Sequence, residues 1–310
     1  MNKMILYYKN NLDNFKKIKN HSHKHFIIFD LLKSFIKYKA TIYDYLQFEF
    51  YSLNSKQRNT FLTTGKNNQI IKLFDNQNYF HILNNKNEFN NYFKKYLKRD
   101  FLNPNFTKDE FYNFISNKSS IIAKSIKNNE IITLDCQNKN IYKKYNNYLL
   151  EEKINQNRKL NELYDKTLNP IKILTFCEGN KTYILQAILE IGNNENEKKC
   201  KSIYTFLDDS GIAITPAVDE DDNIFGLHPI SKKQILGFKV PLFEEAIKLA
   251  LNAAKEIPQI KYICWDIAIG NDQIYLIKGY LPKAIQMKPR FTKDKIGILP
   301  KYEKIMKIKL

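Results

Sequence analysis

The segment that decides the fold runs from Tyr262 to Pro282 and reads YICWDIAIGNDQIYLIKGYLP. Two apolar runs flank Gly270-Asn271-Asp272, which has the composition of a tight reversing turn. The pattern predicts a β-hairpin in which successive side chains point to opposite faces of the sheet. In the first strand this alternation places Asp266 on the face opposite Trp265.

One charged side chain, Asp266, stands in the middle of this apolar strand. A buried ionised carboxylate is costly unless a cation, a metal ion or hydrogen-bond donors neutralise it. In the second strand the alternation places Lys278 on one face together with Leu276 and Tyr280. If the two strands pair as the turn implies, Lys278 lies beside Asp266, and we expect its ammonium group to act as a built-in cation.

The hairpin resembles the C-terminal hairpin of the sugar-transfer-associated ATP-grasp family, which is related to alpha-L-glutamate ligases. That family's pattern reads roughly WDIAI, a turn, and then LIEGN followed by proline. The first half is intact at 265–269, whereas the second half reads LIKGYLP at 276–282. The resemblance implies that Asp266 is a metal ligand, with Lys278 and Tyr280 at the positions of the expected Glu and Asn ligands. Because an ammonium group repels a cation, these substitutions argue against bound Mg²⁺.

Further segments match the same family in the same order, with gaps, from about Phe61 to Pro282. The strand at 120–126 (SIIAKSI) matches the strand that presents a phosphate-binding lysine, and 148–156 (YLLEEKINQ) matches the hinge that holds adenine and ribose. Without the family, Lys86 is more typical of a solvated helix start, and Glu151-Glu152 of an exposed strand end. The resemblance implies ATP as the nucleotide, with five residues at its site: Lys86, Lys124, Glu151, Glu152 and Gln156.

Two other features depart from the family. In the strand at 169–176 (NPIKILTF) the family has an arginine that steadies the transferred phosphoryl group, and here Lys172 stands there as the implied catalytic residue. Lysine keeps the charge but loses the bidentate geometry of a guanidinium group. A glycine-rich loop normally follows the strand of Lys124, but residues 125–132 contain no glycine, and Asn128-Asn129 predicts a simple hairpin turn. The resemblance therefore implies a shortened or lost phosphate lid.

The resemblance implies an α+β protein with the ATP-grasp fold, in which two lobes of antiparallel sheet plus helices clasp a nucleotide. An N-terminal helical region precedes the two lobes. The predicted domains are 1–58 for this helical region, 59–148 for the N-terminal lobe and 149–310 for the C-terminal lobe.

Local patterns add expectations at several segments. Ile70–Phe74 is predicted to be a short strand, and Asn84–Leu97 an amphipathic helix that begins at an asparagine cap. The basic tail after Pro282 is predicted to lie on the surface. The histidine cluster lacks neighbouring cysteine or carboxylate ligands, so a solvated cluster is favoured over a metal site at His21, His23 and His25.

Composition limits the remaining classes of function. The 310 residues are 43% hydrophobic and carry a formal net charge of +18. Such a charge suits a polyanionic partner, but the lysines are scattered and no nucleic-acid-binding motif stands out, so nucleic acid is not an expected partner. No apolar run approaches the roughly 20 residues of a membrane-spanning helix. The N-terminus lacks a signal-peptide pattern and the four cysteines show no paired spacing, which predicts a reduced, cytoplasmic protein.

Three functional hypotheses follow. The family forms amide bonds: ATP phosphorylates a carboxylate, and an amine attacks the acyl phosphate. The resemblance therefore implies a nucleotide-binding protein of cell-surface polysaccharide assembly, related to carboxylate–amine ligases and acting on a sugar or amino-acid carboxylate, whose activity is impaired by the substitutions. The alternative is a catalytically silent relative that serves as an anion-binding or partner-binding scaffold for another protein. A working ligase that takes metal ligands from Asp208 or Asp209 also stays open.

Overall fold

A computed structural model describes residues 24–128, 130–137, 141–193 and 202–310. The chain forms two compact units, one made of residues 24–73 with Pro282–Leu310 and the other of Phe74–Leu281. This division differs from the predicted boundaries near residues 58 and 148. The predicted solvated histidine cluster and Cys200 lie outside the described side chains.

The described residues form twelve α-helices and eleven strands. In chain order the helices are α1 (Lys24–Tyr38), α2 (Ile42–Gln47), α3 (Ser55–Asn59), α4 (Thr64–Phe74), α5 (Phe80–Asn84), α6 (Lys86–Tyr92), α7 (Lys94–Leu97), α8 (Lys108–Ile115), α9 (Ile141–Tyr145), α10 (Arg158–Leu163), α11 (Phe243–Glu256) and α12 (Leu299–Met306). The strands are β1 (Phe101–Leu102), β2 (Ser120–Ser125), β3 (Ile131–Asp135), β4 (Tyr148–Glu152), β5 (Ile171–Glu178), β6 (Lys181–Gly192), β7 (Ser202–Leu207), β8 (Ala217–Val218), β9 (Ile224–Phe225), β10 (Tyr262–Ile269) and β11 (Ile274–Tyr280).

The first unit is helical and has an aromatic core. Its fully buried rings pack edge-on or tilted against one another, and they are Tyr38, Tyr45, Phe48, Phe50 and Phe61. A capping box starts α2, since the Thr41 side chain accepts a hydrogen bond from Asp44 N and the Asp44 carboxylate accepts one from Thr41 N. The predicted helical character of the N-terminal region is confirmed for the described residues.

The tail after Pro282 belongs to this unit, so the prediction that it lies only on the surface is wrong. Gln286 is 1% exposed, and its side chain donates to Leu62 O at 2.9 Å and accepts from Ile298 N at 3.1 Å. Tyr302 of α12 is fully buried. The physical reason is the apolar spacing at residues 299, 302 and 306, which gives α12 a buried stripe.

The predicted strand Ile70–Phe74 is also wrong, because this segment lies in α4. This apolar run belongs to a longer helix, whose buried positions are Lys66, Asn67 and Ile70, which are three and four residues apart as on a helix face. The predicted helix Asn84–Leu97 begins later than expected: Asn84 is the last residue of α5, and Asn85 caps α6, since it accepts backbone hydrogen bonds from residues 87 and 88. The helix that follows is broken into α6 and α7.

In the second unit a four-stranded antiparallel sheet has the order β1-β4-β2-β3. In the register of β2 and β4, Ile122 is paired with Glu151 and Lys124 with Leu149. Because side chains two residues apart share a face, Lys124 and Glu151 lie on the same face as diagonal neighbours.

A seven-stranded sheet follows with the order β11-β10-β5-β6-β7-β8-β9, and its ladders are antiparallel. Its central strands put Asp266 of β10 beside Lys172 of β5, which is in turn beside Ile188 of β6. Trp265, on the other face, packs in the main core with residues of α11. The predicted α+β class with two antiparallel sheets and helices is confirmed.

The predicted hairpin is confirmed, with one correction that a bulge explains. Asp266 is paired with Lys278, as predicted, but the register then shifts and Ile267 is paired with Leu276. An extra residue in one strand reverses the alternation beyond it. Leu276 is therefore fully buried on the core face and does not share the face of Lys278.

Within the second unit, the buried side chain of Asp75 binds the start of β10. Its carboxylate accepts hydrogen bonds from the backbone N–H groups of Lys261 and Tyr262 at 2.8 and 3.0 Å. Burial raises the pKa of Asp75 from 3.8 to about 7, and the two backbone bonds offset only part of this effect.

We expect the free energy of unfolding to fall as the pH rises from 5 to 8. The folded state holds a proton on Asp75 that the unfolded state has already lost, so the stabilisation is fully present below pH 3.8 and disappears as the pH passes about 7. The loss is at most about 4 kcal/mol. Urea denaturation at several pH values measures it, and Asp75→Asn, which keeps the acceptor oxygen, should remove this part of the slope. An identical pH profile for the variant would show that Asp75 is ionised throughout.

Within the part of the chain that the structure describes, no helix is both long and apolar enough to cross a membrane.

Candidate functional site

The four-stranded sheet carries a buried ionic cluster around Glu151. The carboxylate, 4% exposed, lies 2.6 Å from Lys124 Nζ and 3.0 Å from Arg99 Nη2. Its second oxygen accepts a hydrogen bond from Asn90 Nδ2 at 2.8 Å. Lys124 and Glu151, both predicted from the sequence, therefore contact each other directly, and two unpredicted residues complete their surroundings.

Glu151 is held ionised by its neighbours. Burial by itself would raise the pKa of this carboxyl group, but the charges of Lys124 and Arg99 lower it to about 2. Arg99 also donates from Nη1 to the backbone oxygen of Leu276 at 2.5 Å, which connects this cluster to β11 of the seven-stranded sheet.

Lys86, at the first position of α6, reaches over the turn between β2 and β3. Its ammonium group donates to the backbone oxygens of Ser125 at 2.7 Å and Asn128 at 2.9 Å. Burial lowers the pKa of Lys86, the charge of Glu151 raises it in part, and the charge of Lys278 lowers it further. Lys86 thus lies within electrostatic range of both sheets, and it braces the turn that replaces a glycine-rich loop.

The seven-stranded sheet carries a second cluster around Asp266. This carboxylate is 4% exposed and lies 3.1 Å from Lys172 Nζ on the neighbouring strand β5. The phenol of Tyr280 donates to Asp266 at 2.9 Å and accepts from Lys172 at 3.0 Å. The three side chains form a closed hydrogen-bonded triangle.

A second carboxylate, Glu190 of β6, completes this cluster. Its distance to Lys172 Nζ is 2.6 Å, and Ser202 Oγ donates to it at 2.6 Å. The sequence reasoning missed Glu190, although a signal exists: it is an acid in an apolar strand, two residues after Ile188, which is paired with Lys172. The prediction required the strand order, which the sequence alone does not supply.

Protonation states in this second cluster are fixed by its geometry. Burial alone would lower the pKa of Lys172, but Asp266 and Glu190 raise it above its ordinary value. Burial would raise the pKa of Glu190, yet Lys172 lowers it. Burial and the neighbouring Cys264 and Asp266 raise the pKa of the Tyr280 phenol, which stays protonated and donates. The thiol of Cys264 is also neutral, because burial raises its pKa to about 12.

Lys278 lies beside Asp266 but is not the buried cation that was predicted. The distance from its Nζ to Asp266 Oδ2 is 3.3 Å, and its side chain is 57% exposed. The side chain of Lys172 is 16% exposed and its Nζ lies closer to Asp266. The built-in cation is therefore Lys172, because β5 is flanked by β10 and β6, whereas β11 is at the edge of the sheet.

The model of one protein family matches residues 104–280, and its description is "Sugar-transfer associated ATP-grasp". This match covers more than half of the chain. The chain belongs to the sugar-transfer associated ATP-grasp family. The predicted resemblance and the predicted fold are confirmed.

Solved structures similar to this ATP-grasp protein share little sequence with it. ATP-grasp ligase PsnB complexed with minimal precursor is 9% identical over 67% of this chain and 54% of that chain, with a TM-score of 0.42. N5-carboxyaminoimidazole synthase from Aspergillus clavatus was solved in complex with ADP and 5-aminoimidazole ribonucleotide. It is 8% identical over 67% of this chain and 46% of that chain, with a TM-score of 0.44. D-alanine–D-alanine ligase from Bacillus anthracis is 13% identical over 75% of this chain and 68% of that chain, with a TM-score of 0.41.

The chain thus spans little more than half the length of the PsnB structure. No curated protein matches it in sequence.

The ATP-grasp family implies Mg²⁺ beside the nucleotide, and the donor set around Asp266 does not fit this ion. Mg²⁺ requires an octahedral set of oxygen ligands. The oxygens of Asp266 and Glu190 are instead engaged by the ammonium group of Lys172, with a second ammonium group, that of Lys278, 3.3 Å away. Among the described residues, no group of three or more metal-ligating side chains could hold a metal ion. Asp208, the suggested substitute, accepts hydrogen bonds from residues 210 and 212 and closes its own turn.

Two other predicted residues of this ATP-grasp protein lie apart from both clusters. Gln156 is buried, and its amide is occupied within the protein by contacts that include Asn161, the Tyr164 carbonyl and the Asn169 N–H. Glu152 accepts from Asp100 N at 3.1 Å and lines an open pocket of about 700 Å³ along β1. Their roles in nucleotide binding stay predictions, as does the catalytic role of Lys172.

Proposed function

We propose that this chain is an ATP-grasp-type nucleotide-binding protein of cell-surface polysaccharide assembly, related to ATP-dependent carboxylate–amine ligases, in which catalysis is impaired. The observation that carries the proposal is the triangle of Lys172, Asp266 and Tyr280, with Glu190 as the fourth member. A protein ammonium group lies against Asp266, the carboxylate that the family would offer to a metal ion.

The same arrangement argues against a fast ligase reaction. Forming an acyl phosphate requires free cationic groups aimed at the phosphoryl group as its charge is redistributed. Lys172 is the residue at the family's arginine position, but two carboxylates already hold its ammonium group at 2.6 and 3.1 Å. Removing one well-aimed electrostatic group commonly reduces a rate by about 10²–10³. We therefore expect slow or absent amide formation on the sugar or amino-acid carboxylate.

Two lysines outside the buried ion pairs, Lys86 and Lys278, support nucleotide binding. Lys86 is partly exposed and is bonded to neutral backbone oxygens, and Lys278 is more than half exposed. Both ammonium groups are available to a triphosphate without breaking a buried ion pair. In the alternative scaffold function, the two ionic clusters only stabilise a surface that a protein partner binds. That function does not require ammonium groups that are free to bind a triphosphate.

Calorimetric titration with ATP in the presence of EDTA tests the proposal. We expect weak binding without metal, and we expect Lys86→Met to reduce the affinity by about ten-fold, because it removes one charge-assisted contact. Lys248→Met, at an exposed lysine of α11 in the same unit, is the matched control and should leave the affinity unchanged. If ATP does not bind to the folded protein, the nucleotide-binding proposal fails and the scaffold alternative stands.

A further inference from the structure

The orientation of α1 in the first unit is set by a partly buried ion pair on one side of the helix. Asp30 forms a bidentate pair with Arg58, with N–O distances of 2.6 and 2.8 Å, and Tyr45 donates to the same carboxylate at 2.8 Å. Ser34 and Tyr38, on the same side, are fully buried. These contacts determine which side of α1 faces outwards.

The outward side of α1 is apolar. Phe29, Leu32, Phe35 and Ile36 are 72%, 56%, 64% and 78% exposed, and we call these four residues the α1 apolar face. At 100° per residue they cover roughly 120° of the helix circumference. Single exposed apolar residues are common on protein surfaces, but a contiguous group of large ones marks an interaction site.

The positive charge of the protein is concentrated in the same unit. Residues 24–73 and 282–310 contain 17 Lys and Arg residues against five Asp and Glu, whereas residues 74–281 contain 28 against 26. The basic residues occur in both units, but the net charge is therefore uneven, because most of the acidic residues lie in the second unit. Two exposed lysines, Lys33 and Lys37, follow the α1 apolar face around the helix, and Lys39 is exposed just beyond its end.

We infer that α1 docks this protein on an anionic lipid surface, with the α1 apolar face in the headgroup–acyl boundary and with Lys33 and Lys37, along one edge of that face, against the lipid charges. An apolar stripe bordered by lysines on a helix that does not span the bilayer is the arrangement that binds such interfaces. A nucleic acid would use the charge but not four exposed apolar side chains. A second copy of this basic unit would be repelled by the charge that attracts a lipid. The inference does not depend on the proposed nucleotide binding.

Flotation of the full chain with lipid vesicles tests the inference. We expect binding to vesicles of phosphatidylcholine with phosphatidylserine, at least ten-fold weaker binding to pure phosphatidylcholine, and a decrease with added salt. Equal binding to both kinds of vesicle, or binding to neither, would overturn the proposal.

Paired variants separate the apolar from the ionic contribution. Phe35→Ser with Ile36→Ser should weaken vesicle binding by about ten-fold or more, because two large apolar side chains are lost from the interface. Ile131→Ser with Ile224→Ser changes exposed apolar residues of the other unit and should have no effect. Lys33→Glu with Lys37→Glu should likewise weaken binding, and the matched control is Lys94→Glu with Lys98→Glu. Unchanged melting temperatures show that each variant is folded.

Two further measurements exclude the competing occupants. If single-stranded RNA binds the protein more tightly than anionic vesicles do, the lipid assignment is wrong. If the protein dimerises and the Phe35→Ser with Ile36→Ser variant abolishes dimerisation without altering flotation, the α1 apolar face is a contact between copies and the proposal falls.

Discussion

At pH 7 the variant Lys172→Met is expected to lower the free energy of unfolding by about 3–5 kcal/mol, because it removes the buried cation that Asp266 and Glu190 share. Lys172 neutralises both Asp266 and Glu190, whose side chains are 5% and 27% exposed. Methionine fills a similar volume, so the expected loss is electrostatic in origin and not caused by a cavity. Urea denaturation at pH 7 measures it.

The matched control is Lys278→Met on the same carboxylate. Because this side chain is 57% exposed, solvent screens its interaction with Asp266, and we expect a change below about 1 kcal/mol. Lys172 lowers the pKa of Glu190, so in the Lys172→Met variant this carboxyl group should take up a proton at higher pH, and the stability lost by the substitution should shrink as the pH falls. Equal effects of the two substitutions would show that Lys172 is not the principal cation of the cluster.

The second large effect is expected at Glu151, where Glu151→Gln should also cost about 3–5 kcal/mol of unfolding free energy. The substitution leaves Arg99 and Lys124, whose side chains are 1% and 15% exposed, without their shared counter-charge. The pKa of Glu151 gives a free energy of similar size: lowering this pKa from 4.5 to about 2 corresponds to about 3 kcal/mol of stabilisation of the folded state. Thermal or urea denaturation near neutral pH measures the loss.

The neighbouring substitution Glu152→Gln is the control for this experiment and should change the stability by less than about 1 kcal/mol. Measuring the unfolding free energy of wild type and Glu151→Gln at decreasing pH gives a second test, because the direction of the change is known. The stabilisation by Glu151 is present above pH 4.5 and disappears as the pH falls through about 2, so the difference between wild type and Glu151→Gln should shrink in acid. A difference that does not depend on pH would contradict the ionised assignment.

The β10–β11 hairpin could be predicted because its information is local. Alternating apolar residues around a three-residue turn defined both strands. Counted from the pair Ile269 and Ile274, an unbroken ladder would put Ile277 opposite Asp266, so the pairing of Asp266 with Lys278 depends on the bulge. The bulge after Asp266 could not be predicted, because no turn or glycine marks it, and one extra residue was enough to move Leu276 to the other face.

The partners of Asp266 were harder to predict because they lie far away in the sequence. Lys172 is 94 residues from Asp266, and its place beside it depends on the order of β10, β5 and β6 in the sheet. A sequence motif identified Lys172 as a family position but gave no reason to expect Glu190. The ion cluster is thus a property of sheet order, which depends on long-range pairing and not on local pattern.

Arg99 was missed although the sequence contains a usable signal. The chain has only four arginines, at positions 58, 99, 158 and 290, among its 50 basic residues. Two of them, Arg58 and Arg99, are buried against carboxylates. Guanidinium suits such sites better than ammonium because its planar group donates in two directions. In a chain that uses lysine almost everywhere, an arginine is therefore a candidate for a buried ion pair.

Calorimetry tests most directly our proposal that the ammonium group of Lys172 takes the place of Mg²⁺ beside Asp266 and Glu190. The dissociation constant of ATP is measured for the wild-type protein in EDTA and again with saturating Mg²⁺. We predict values that agree within about three-fold, because Lys172 already neutralises Asp266 and Glu190 and leaves no set of oxygens for the ion. A gain in affinity of a hundred-fold or more on adding Mg²⁺ would contradict this account and restore a metal-dependent ligase.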